Sequence, residues 1–254
     1  MQVSELHRDK KMNKEFSSVV VIGGTSVLAQ AIIREIPEIT DLCLVGRTEQ
    51  RLETVADLFP NQRVRILSGD IVSPEGIAQM YTELPDPEDI DLVIISMGRL
   101  CDSTEHDTDE LSALMRVNLL APQMWIEEFL REHRISPLSI AVIGSVAGDR
   151  VRASNYWYGT SKAGLEDFLT GVGAYAYQNH FPVSFTLIKP GLVDTPMIAD
   201  RRDRRLVVPP SQAARRAVDA VRKGKRVVYT PFWWGFIMSI MKRLPYFIFR
   251  KIKY

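Results

Sequence analysis

The sequence predicts an α/β fold built on a doubly wound parallel sheet of about seven strands. Short apolar runs rich in β-branched residues alternate along the chain with segments of helical length. Most of these runs are apolar throughout, which is typical of strands that helices cover on both faces. At 254 residues, the chain suits a single domain of this kind. We expect the domain at residues 17–230, a flexible leader at 1–16 and an amphipathic, basic and aromatic C-terminal extension at 231–254.

Seven runs are predicted to be strands. In chain order they are SVVVI from Ser18, DLCLV from Asp41, RVRIL from Arg63, DLVIIS from Asp91, LSIAVIG from Leu138, VSFTLI from Val183 and RVVYT from Arg226. In a Rossmann-type sheet of this kind, ligands bind beyond the carboxyl ends of the strands. The residues that follow each strand are therefore the first candidates for a functional site.

Bulk composition argues against several classes of protein. The chain is 46% hydrophobic and 25% charged, which is ordinary for a globular protein, and it shows no tandem repeat. Its first residues lack the apolar core of a secretion signal, so we expect a cytoplasmic protein. The two cysteines are expected to be reduced thiols, and the four histidines are too scattered to suggest a metal site. No nucleic-acid partner is expected.

The first predicted strand is followed by a glycine turn. Gly23 and Gly24 permit a tight turn and the close approach of a phosphate to backbone N–H groups at the start of the next helix. The candidate cofactor-binding residues here are Gly23, Gly24, Thr25, Ser26 and Leu28. A full glycine-rich fingerprint would have glycine where Val27 stands. A strand-to-helix turn without a ligand is the alternative.

Charged residues follow the second and third strands. Arg47 stands where an acidic residue would bind a ribose 2′-hydroxyl. Because a guanidinium pairs with a 2′-phosphate, the sequence favours NADP(H) over NAD. Arg51 either assists or is a solvated helix residue. Asp70, followed by Ile71, either accepts a hydrogen bond from an adenine amino group or caps the helix that begins near Pro74.

A tyrosine and a lysine lie four residues apart at the start of a predicted helix. Side chains at this spacing share one helix face, so Tyr158 and Lys162 reach the same site. A nearby ammonium favours the phenolate, so Lys162 is expected to lower the pKa of Tyr158 and make it a usable general acid. The pair alone is not specific, because a chain with eight tyrosines can contain it by chance.

Further polar residues complete an ordered set. Ser145 ends the fifth strand, and Pro190-Gly191 ends the sixth. Asn118 lies inside an apolar helix, which is unfavourable for an amide unless something binds it. With the glycine turn, Asp70 and the tyrosine–lysine pair, these residues resemble the short-chain dehydrogenase/reductase family over residues 18 to about 230.

The family resemblance implies a role for each residue. Tyr158 would donate a proton to a carbonyl oxygen as hydride arrives from NADPH, or accept one in the reverse direction. Ser145 would hydrogen-bond the same oxygen, and Lys162 would also hold the nicotinamide ribose. Asn118 would kink its helix and anchor a water that feeds protons to Lys162. Cofactor contacts are also implied for Gly98, Pro190, Gly191, Val193 and Thr195, of which Thr195 would contact the nicotinamide carboxamide.

One departure and two alternatives accompany the resemblance. Many relatives have Asn-Asn-Ala-Gly after the fourth strand, whereas this chain has ISMG and keeps only Gly98. Taken singly, Ser145 is compatible with an ordinary serine at a strand end, and Asn118 with a core amide satisfied by the backbone. By analogy with the family, a homodimer or homotetramer is expected.

The C-terminal extension has a composition of its own. Residues 232–241 carry no charge but are too few to span a bilayer, which needs about 20 apolar residues. Aromatic residues beside basic clusters suit a segment in the membrane interface next to anionic headgroups, divided by Pro245. A helix in a subunit interface or over the active-site mouth is the alternative. After Asp219 there are no acidic residues and nine basic ones: Arg222, Lys223, Lys225, Arg226, Lys242, Arg243, Arg250, Lys251 and Lys253.

The loop after the sixth strand contains four arginines: Arg201, Arg202, Arg204 and Arg205. Guanidinium groups favour phosphate, so a phosphate-bearing substrate is one interpretation and a solvated surface turn is the other. The loop and the extension together resemble one branch of the family, the decaprenylphosphoryl-2-keto-erythro-pentose reductases, in which the GGTS turn and a Pro-aromatic-basic C-terminus also occur. This resemblance implies an amphiphilic ketone, a 2-keto sugar on a polyprenyl phosphate, reduced at the cytoplasmic face of a membrane. The alternatives are a soluble reductase of small ketones, steroids or acyl chains, and a non-catalytic NADPH-binding scaffold.

Overall fold

The computed structural model describes residues 14–101, 107–133, 135–199 and 205–252; most of the predicted leader lies outside them. The strands are β1 Ser18–Ile22, β2 Asp41–Gly46, β3 Arg63–Ser68, β4 Leu92–Ile95, β5 Leu138–Ile143, β6 Val183–Pro190 and β7 Val227–Thr230. The helices are α1 Val27–Arg34, α2 Glu49–Ala56, α3 Pro74–Thr82, α4 Thr108–Met115, α5 Ala121–Glu132, α6 Tyr156–Gln178, α7 Pro210–Arg222, α8 Trp233–Arg243 and α9 Tyr246–Phe249. The seven strands form one parallel sheet in the order β3-β2-β1-β4-β5-β6-β7, which confirms the predicted fold class.

Helices cover both faces of the sheet. Val19 and Val21 of β1 pack with α1, α2 and α7, whereas Val20 and Ile22 pack with α3, α5 and α6. All four side chains are fully buried, which explains why this strand is apolar throughout. The edge strand β3 differs, because its alternate residues are exposed, including Arg63.

The predicted strand boundaries agree with the observed ones to within two residues. The strands are in parallel register, with Val19 opposite both Leu42 and Leu92. Their carboxyl ends therefore lie along one edge of the sheet. The helices after β1 and β4 lie on opposite faces, so the chain leaves a crevice between these two neighbouring strands.

Local sequence signals set the helix ends. Ser26, Ser73 and Asp107 cap α1, α3 and α4, each accepting hydrogen bonds from N–H groups of the first turn. A π-helical turn, Arg116–Leu120, joins α4 to α5 without a loop. Such turns interrupt the regular hydrogen-bond ladder and are frequent at functional sites.

The C-terminal extension forms the helices α8 and α9, which are separated at Pro245 as predicted. Of the helices in the described part of the chain, none combines the length and the apolar character needed to cross a membrane.

Candidate active site

The crevice between β1 and β4 is closed at its base by two serines. The hydroxyl of Ser96, which follows β4, donates a hydrogen bond to the hydroxyl of Ser26 at 2.7 Å. Ser26 begins α1, so this contact joins the first helix to the end of the fourth strand. The crevice is the place where a doubly wound sheet binds a dinucleotide.

The glycine turn after β1 is tied to the neighbouring strand. The N–H groups of Gly23 and Gly24 both donate to the carbonyl oxygen of Val45, at 2.9 and 3.0 Å. Because these two amides are engaged by β2, the N–H groups that a phosphate can approach are those at the start of the next helix, and the predicted phosphate contact stays a prediction. Gly23 has a φ of +87°, and a Cβ there would lie 2.5 Å from the Ser96 carbonyl oxygen. Glycine is required at this position by the backbone itself.

The start of α1 still offers an anion site. The first N–H groups of a helix have no acceptor within it, and in α1 these belong to Val27 and Leu28. Thr25 and Ser26 add hydroxyl groups, although the Ser26 oxygen already accepts from the N–H of Ala29 at 3.3 Å. The positive end of the helix dipole favours a phosphate here. Thr25, Ser26 and Leu28 thus remain suitable for the predicted contact.

Arg47 and Asp70 lie near each other, after β2 and β3, and both are exposed. A hydrogen bond to the Ser73 side chain and bonds from the N–H groups of Val72 and Ser73 hold the pKa of Asp70 below its ordinary value, with a smaller contribution from Arg47. Asp70 therefore orders the turn before α3, while Ser73 is the cap itself. Ile71 is buried in the core.

The hydroxyl groups of Ser145 and Tyr158 are joined by a hydrogen bond. Ser145 follows β5, and its oxygen also accepts from the N–H of Ala147 at 3.1 Å. Tyr158 lies in the first turn of α6, as predicted. The two residues are only 9% and 8% exposed. Burial raises the pKa of Tyr158 above its ordinary value, and the hydrogen bond to Ser145 opposes that shift.

Lys162 lies one turn further along α6 and is buried. Its ammonium donates to the carbonyl oxygens of Met97 and Ile143, at 3.2 and 3.1 Å, and burial lowers its pKa to about 8. The prediction that Lys162 lowers the pKa of Tyr158 is wrong for this structure. The net shift of the phenol is upward, because the cost of burying a phenolate dominates and the ammonium is engaged by the ends of β4 and β5.

Asn118 is fully buried in the π-helical turn. Its side-chain oxygen accepts from the N–H of Arg99 at 2.7 Å, and its amide nitrogen donates to the Arg99 carbonyl at 2.9 Å and to the Ser161 hydroxyl at 3.1 Å. Ser161 donates in turn to the carbonyl of Tyr158 at 2.8 Å. The polar atoms of the Asn118 side chain thus have hydrogen-bond partners within the protein, which agrees with the alternative that Asn118 is a core amide. Asn118 ties the loop after β4 to the helix that carries Tyr158, and the water predicted beside it stays a prediction.

The residues after β6 form a fixed wall of the site. Pro190 ends β6, and the N–H of Gly191 donates to the carbonyl of Thr230 at 2.9 Å. Val193 is buried and pairs with Val208 in an isolated parallel bridge. The described part of this loop is therefore tied to β7 at Gly191, and its two sides are joined to each other at Val193 and Val208.

Gly98 and Thr195 lie where the loop after β6 meets the end of β4. A Cβ on Gly98 would be 3.5 Å from Cε of Met197 and 3.9 Å from Nζ of Lys162. Thr195 is half-buried, two residues before Met197. The structure thus brings Ser145, Tyr158, Lys162, Gly98 and this loop to one edge of the sheet.

Of the four arginines predicted in the loop after β6, Arg201, Arg202 and Arg204 lie outside the described residues, whereas Arg205 is exposed. Within the described ranges, no group of three potential metal ligands occurs. Cys43 is a buried thiol whose pKa is raised by burial to about 12.

A buried charge cluster beside the site was not predicted. Lys189 of β6 donates to Asp149 at 2.7 Å and to Glu166 at 2.5 Å. The hydroxyl of Tyr229 donates to Asp149 at 3.2 Å, and Lys242 of α8 forms a further ion pair with the same carboxylate. The side chains of Lys189 and Asp149 are 1% and 0% exposed. The available signal was a single charged residue, Lys189, in a strand without other charges, because a buried ammonium needs a partner.

The same region holds the C-terminal extension beside the carboxyl edge of the sheet. Arg150, in the loop between β5 and α6, donates to the carbonyl of Leu244 at 3.2 Å, and its guanidinium lies 4.4 Å from the centre of the Phe249 ring. Gly191 lies directly against Trp234, since a Cβ there would be 1.8 Å from the indole nitrogen. One face of the extension therefore packs on the body of its own chain, beside the loop that carries Ser145.

Sequence comparisons place this geometry in context. A family model described as short chain dehydrogenase matches residues 17–206. An uncharacterized oxidoreductase in the mprA 5′ region of Streptomyces coelicolor is 28% identical over 244 residues, covering 92% of this chain and 95% of its own. An uncharacterized oxidoreductase of Mycobacterium tuberculosis is 26% identical over 244 residues, covering 92% of this chain and 96% of its own.

Solved structures share the fold. A short chain dehydrogenase from Burkholderia cenocepacia in complex with NADP has a TM-score of 0.77 at 21% identity, covering 91% of this chain and 95% of its own. A variant of the actinorhodin polyketide ketoreductase with NADPH has a TM-score of 0.73 at 18% identity, covering 86% of this chain and 97% of its own. Because the family model spans most of the chain, the protein is an oxidoreductase that belongs to the short-chain dehydrogenase/reductase family.

Proposed function

We propose that the protein reduces a ketone to a secondary alcohol with NADPH as the hydride donor and Tyr158 as the general acid. The observation that carries the proposal is the buried hydrogen bond between Ser145 and Tyr158, one helical turn from Lys162, at the carboxyl edge of the sheet. Two hydroxyl groups that meet in a water-poor site can bind one carbonyl oxygen and stabilise the charge that develops on it.

The crevice has the features that a nicotinamide dinucleotide requires. The start of α1 suits its phosphates, Arg47 its 2′-phosphate and Asp70 its adenine, and Gly98 leaves room beside Lys162. When bound, NADPH supplies a hydride to the carbonyl carbon. The dinucleotides bound to the Burkholderia dehydrogenase and the polyketide ketoreductase support this assignment by analogy of fold.

The proton step follows from the environment of Tyr158. As the carbon–hydrogen bond forms, the π electrons of the C=O bond move to the oxygen, and the Tyr158 hydroxyl donates its proton to that oxygen. A raised pKa keeps the phenol protonated at neutral pH, which is the form that reduction needs. The single O–H of Ser145 donates to the substrate oxygen and stabilises the charge that develops there.

Lys162 and Asn118 support this proton transfer indirectly. With a pKa of about 8, Lys162 is largely protonated at neutral pH, and we expect its ammonium to hold the nicotinamide ribose, as the family resemblance implies. Asn118 acts as a positioning residue, through Ser161, on the backbone of Tyr158. The predicted water relay through Asn118 is kept as part of the proposal.

Arg47 is expected to set the preference for NADP(H). Changing Arg47→Ala removes a charge-assisted contact to the 2′-phosphate and should weaken NADP⁺ binding about 10- to 100-fold while NAD⁺ binding changes little. Arg51→Ala, which changes an exposed residue in the first turn of α2, shows whether Arg51 assists. Titrations of both nucleotides measure these affinities. Equal binding of NAD⁺ and NADP⁺ by the unaltered protein would refute the assignment.

We further propose that the substrate is a lipid-linked keto sugar of the polyprenyl-phosphate type, which the protein binds at the cytoplasmic face of a membrane. Support comes from the resemblance of the GGTS turn and the C-terminus to the decaprenylphosphoryl-2-keto-erythro-pentose reductases, and from the extension that packs beside the site. The test compares NADPH consumption with a detergent-dispersed lipid extract and with a panel of water-soluble ketones. Faster reduction of the extract is expected, and efficient reduction of the water-soluble panel alone would overturn the substrate class.

A further inference from the structure

The C-terminal extension, residues 232–252, has an inner and an outer face. The inner face is fixed: Lys242 pairs with buried Asp149, Arg150 holds the Leu244 carbonyl, and Trp234 packs on Gly191. These contacts position the extension as a built part of the domain, beside the loop between β5 and α6. What remains to be explained is the face that points away from the body.

The outer face of the extension exposes six large apolar side chains between residues 232 and 248. Phe232, Phe236 and Ile240 recur every four residues and are 63%, 71% and 50% exposed, so they form one stripe along α8. Beyond Pro245 the stripe continues in residues 246–248, which are 71%, 61% and 41% exposed. Six of the fourteen large hydrophobic residues exposed in the described part of the chain therefore lie within seventeen consecutive positions. Clustering of this kind marks a surface that is covered in function.

Basic residues surround this stripe, and acidic ones are absent from the sequence there. Arg243, Arg250 and Lys251 are exposed, and the guanidinium of Arg216 lies 5.7 Å from the centre of the Phe232 ring. The chain has no Asp or Glu after Asp219. The exposed apolar stripe is therefore flanked by basic residues.

We propose that this outer face docks on an anionic lipid bilayer, with the extension lying in the plane of the interface. An exposed apolar stripe flanked by arginine and lysine matches a surface that combines acyl chains with negative headgroups. A second copy of this chain is a poorer match, because a symmetric contact through the same face would bring like charges together. The helices are too short to cross the bilayer, so the contact is peripheral.

The inner contacts give this docking a consequence for the active site. Because Arg150 and Gly191 join the extension to the walls beside Ser145 and β6, a bilayer that covers the outer face lies next to the mouth of the site. A ketone with a long lipid tail could then be reached while its tail stays in the membrane. The docking surface itself goes beyond the proposed reductase activity, and its binding to lipid is measured without cofactor or ketone.

The experiment is co-sedimentation of the full chain with vesicles of phosphatidylcholine alone and of phosphatidylcholine mixed with phosphatidylglycerol. Binding is expected only with the anionic vesicles, and it should fall as salt is added. The double variant Phe236→Ser with Ile240→Ser and the double variant Arg243→Gln with Lys251→Gln should each reduce binding about tenfold or more. The matched control, Leu58→Ser with Ile135→Ser, removes two exposed apolar residues elsewhere and should bind as the unaltered protein does.

Two further measurements distinguish a loss of lipid binding from unfolding and from self-association. Thermal unfolding shows that the variants are folded, which their exposed positions lead us to expect, and sedimentation velocity reports self-association. Binding that is equal on neutral and anionic vesicles, or that survives both outer-face variants, would overturn the proposal. The proposal would also be overturned if sedimentation velocity showed a dimer that the outer-face variants dissociate, while no variant changed co-sedimentation with the vesicles. Loss of lipid binding with turnover intact, or the converse, separates this proposal from the reductase assignment.

Discussion

Changing Tyr158→Phe is expected to reduce turnover by about 10²- to 10⁴-fold and to leave NADPH binding within about twofold of the unaltered protein. The ring stays in place, so the packing of the first turn of α6 is retained, and only the proton donor and its bond to Ser145 are lost. Rates of NADPH consumption and equilibrium titrations of NADPH measure the two quantities on the same preparation.

The matched control for this variant is Tyr175→Phe, on the same helix but 54% exposed. It should leave turnover unchanged, because its hydroxyl lies outside the site. Ser145→Ala is expected to lower turnover as well, since it removes one of the two donors to the carbonyl oxygen, by about 10²- to 10³-fold. If Tyr158→Phe retained most of the turnover, the proposed acid would be wrong whatever the substrate is.

Changing Lys189→Met is expected to lower the free energy of unfolding by about 3–5 kcal/mol. The variant fills similar space but removes the ammonium that lies between Asp149 and Glu166, so that the buried Asp149 keeps only Tyr229 and the more exposed Lys242 as partners. Removing one partner from a buried ion network is far more costly than exchanging the whole pair for apolar groups. Denaturant unfolding followed by circular dichroism measures the change.

An exposed pair on the same protein provides the control for the Lys189 variant. The side chains of Lys223 and Asp219 are 42% and 51% exposed, so Lys223→Met should change the free energy of unfolding by less than about 1 kcal/mol. Similar losses for Lys189→Met and Lys223→Met would show that the cluster does not act as a buried ion network. A large loss only for Lys189→Met supports the assignment.

Much of the fold could be predicted because its signals are local. Val19, Val20 and Val21 are consecutive and apolar, and a strand of that kind belongs in the middle of a parallel sheet, where both faces are buried. The alternation of strands with helices predicts parallel strands joined by crossovers, whereas the order and the register of the strands are seen only in the structure. The edge strand β3 departs from this pattern because one of its sides meets solvent.

The candidate site was predictable where spacing within one helix fixes the geometry. Tyr158 and Lys162 share a face of α6 because they lie four residues apart, and Ser145 reaches them because it ends a neighbouring strand. Their chemistry was less predictable. The direction of the Tyr158 pKa depends on the balance between burial and neighbouring charges, which spacing alone does not give.

Contacts between segments that lie far apart in the chain could not be predicted from the sequence. Lys189 and Asp149 lie 40 positions apart, one in a strand and one in a loop, and no periodicity brings them together. The bonds from the Gly23 and Gly24 amides to the carbonyl of Val45 were likewise not predicted, because this acceptor belongs to the adjacent strand. Both cases depend on tertiary packing rather than on local pattern.

The most direct test of the account follows the hydrogen itself. NADPH carrying a deuterium in the transferable position is incubated with the membrane lipid extract and either the unaltered protein or Tyr158→Phe, and the lipid products are analysed by mass spectrometry. We predict that the unaltered protein places one deuterium on the carbon of the new alcohol for each NADPH consumed, and that Tyr158→Phe places almost none. Equal labelling by the two proteins, or NADPH consumption with no label in any product, would contradict the account.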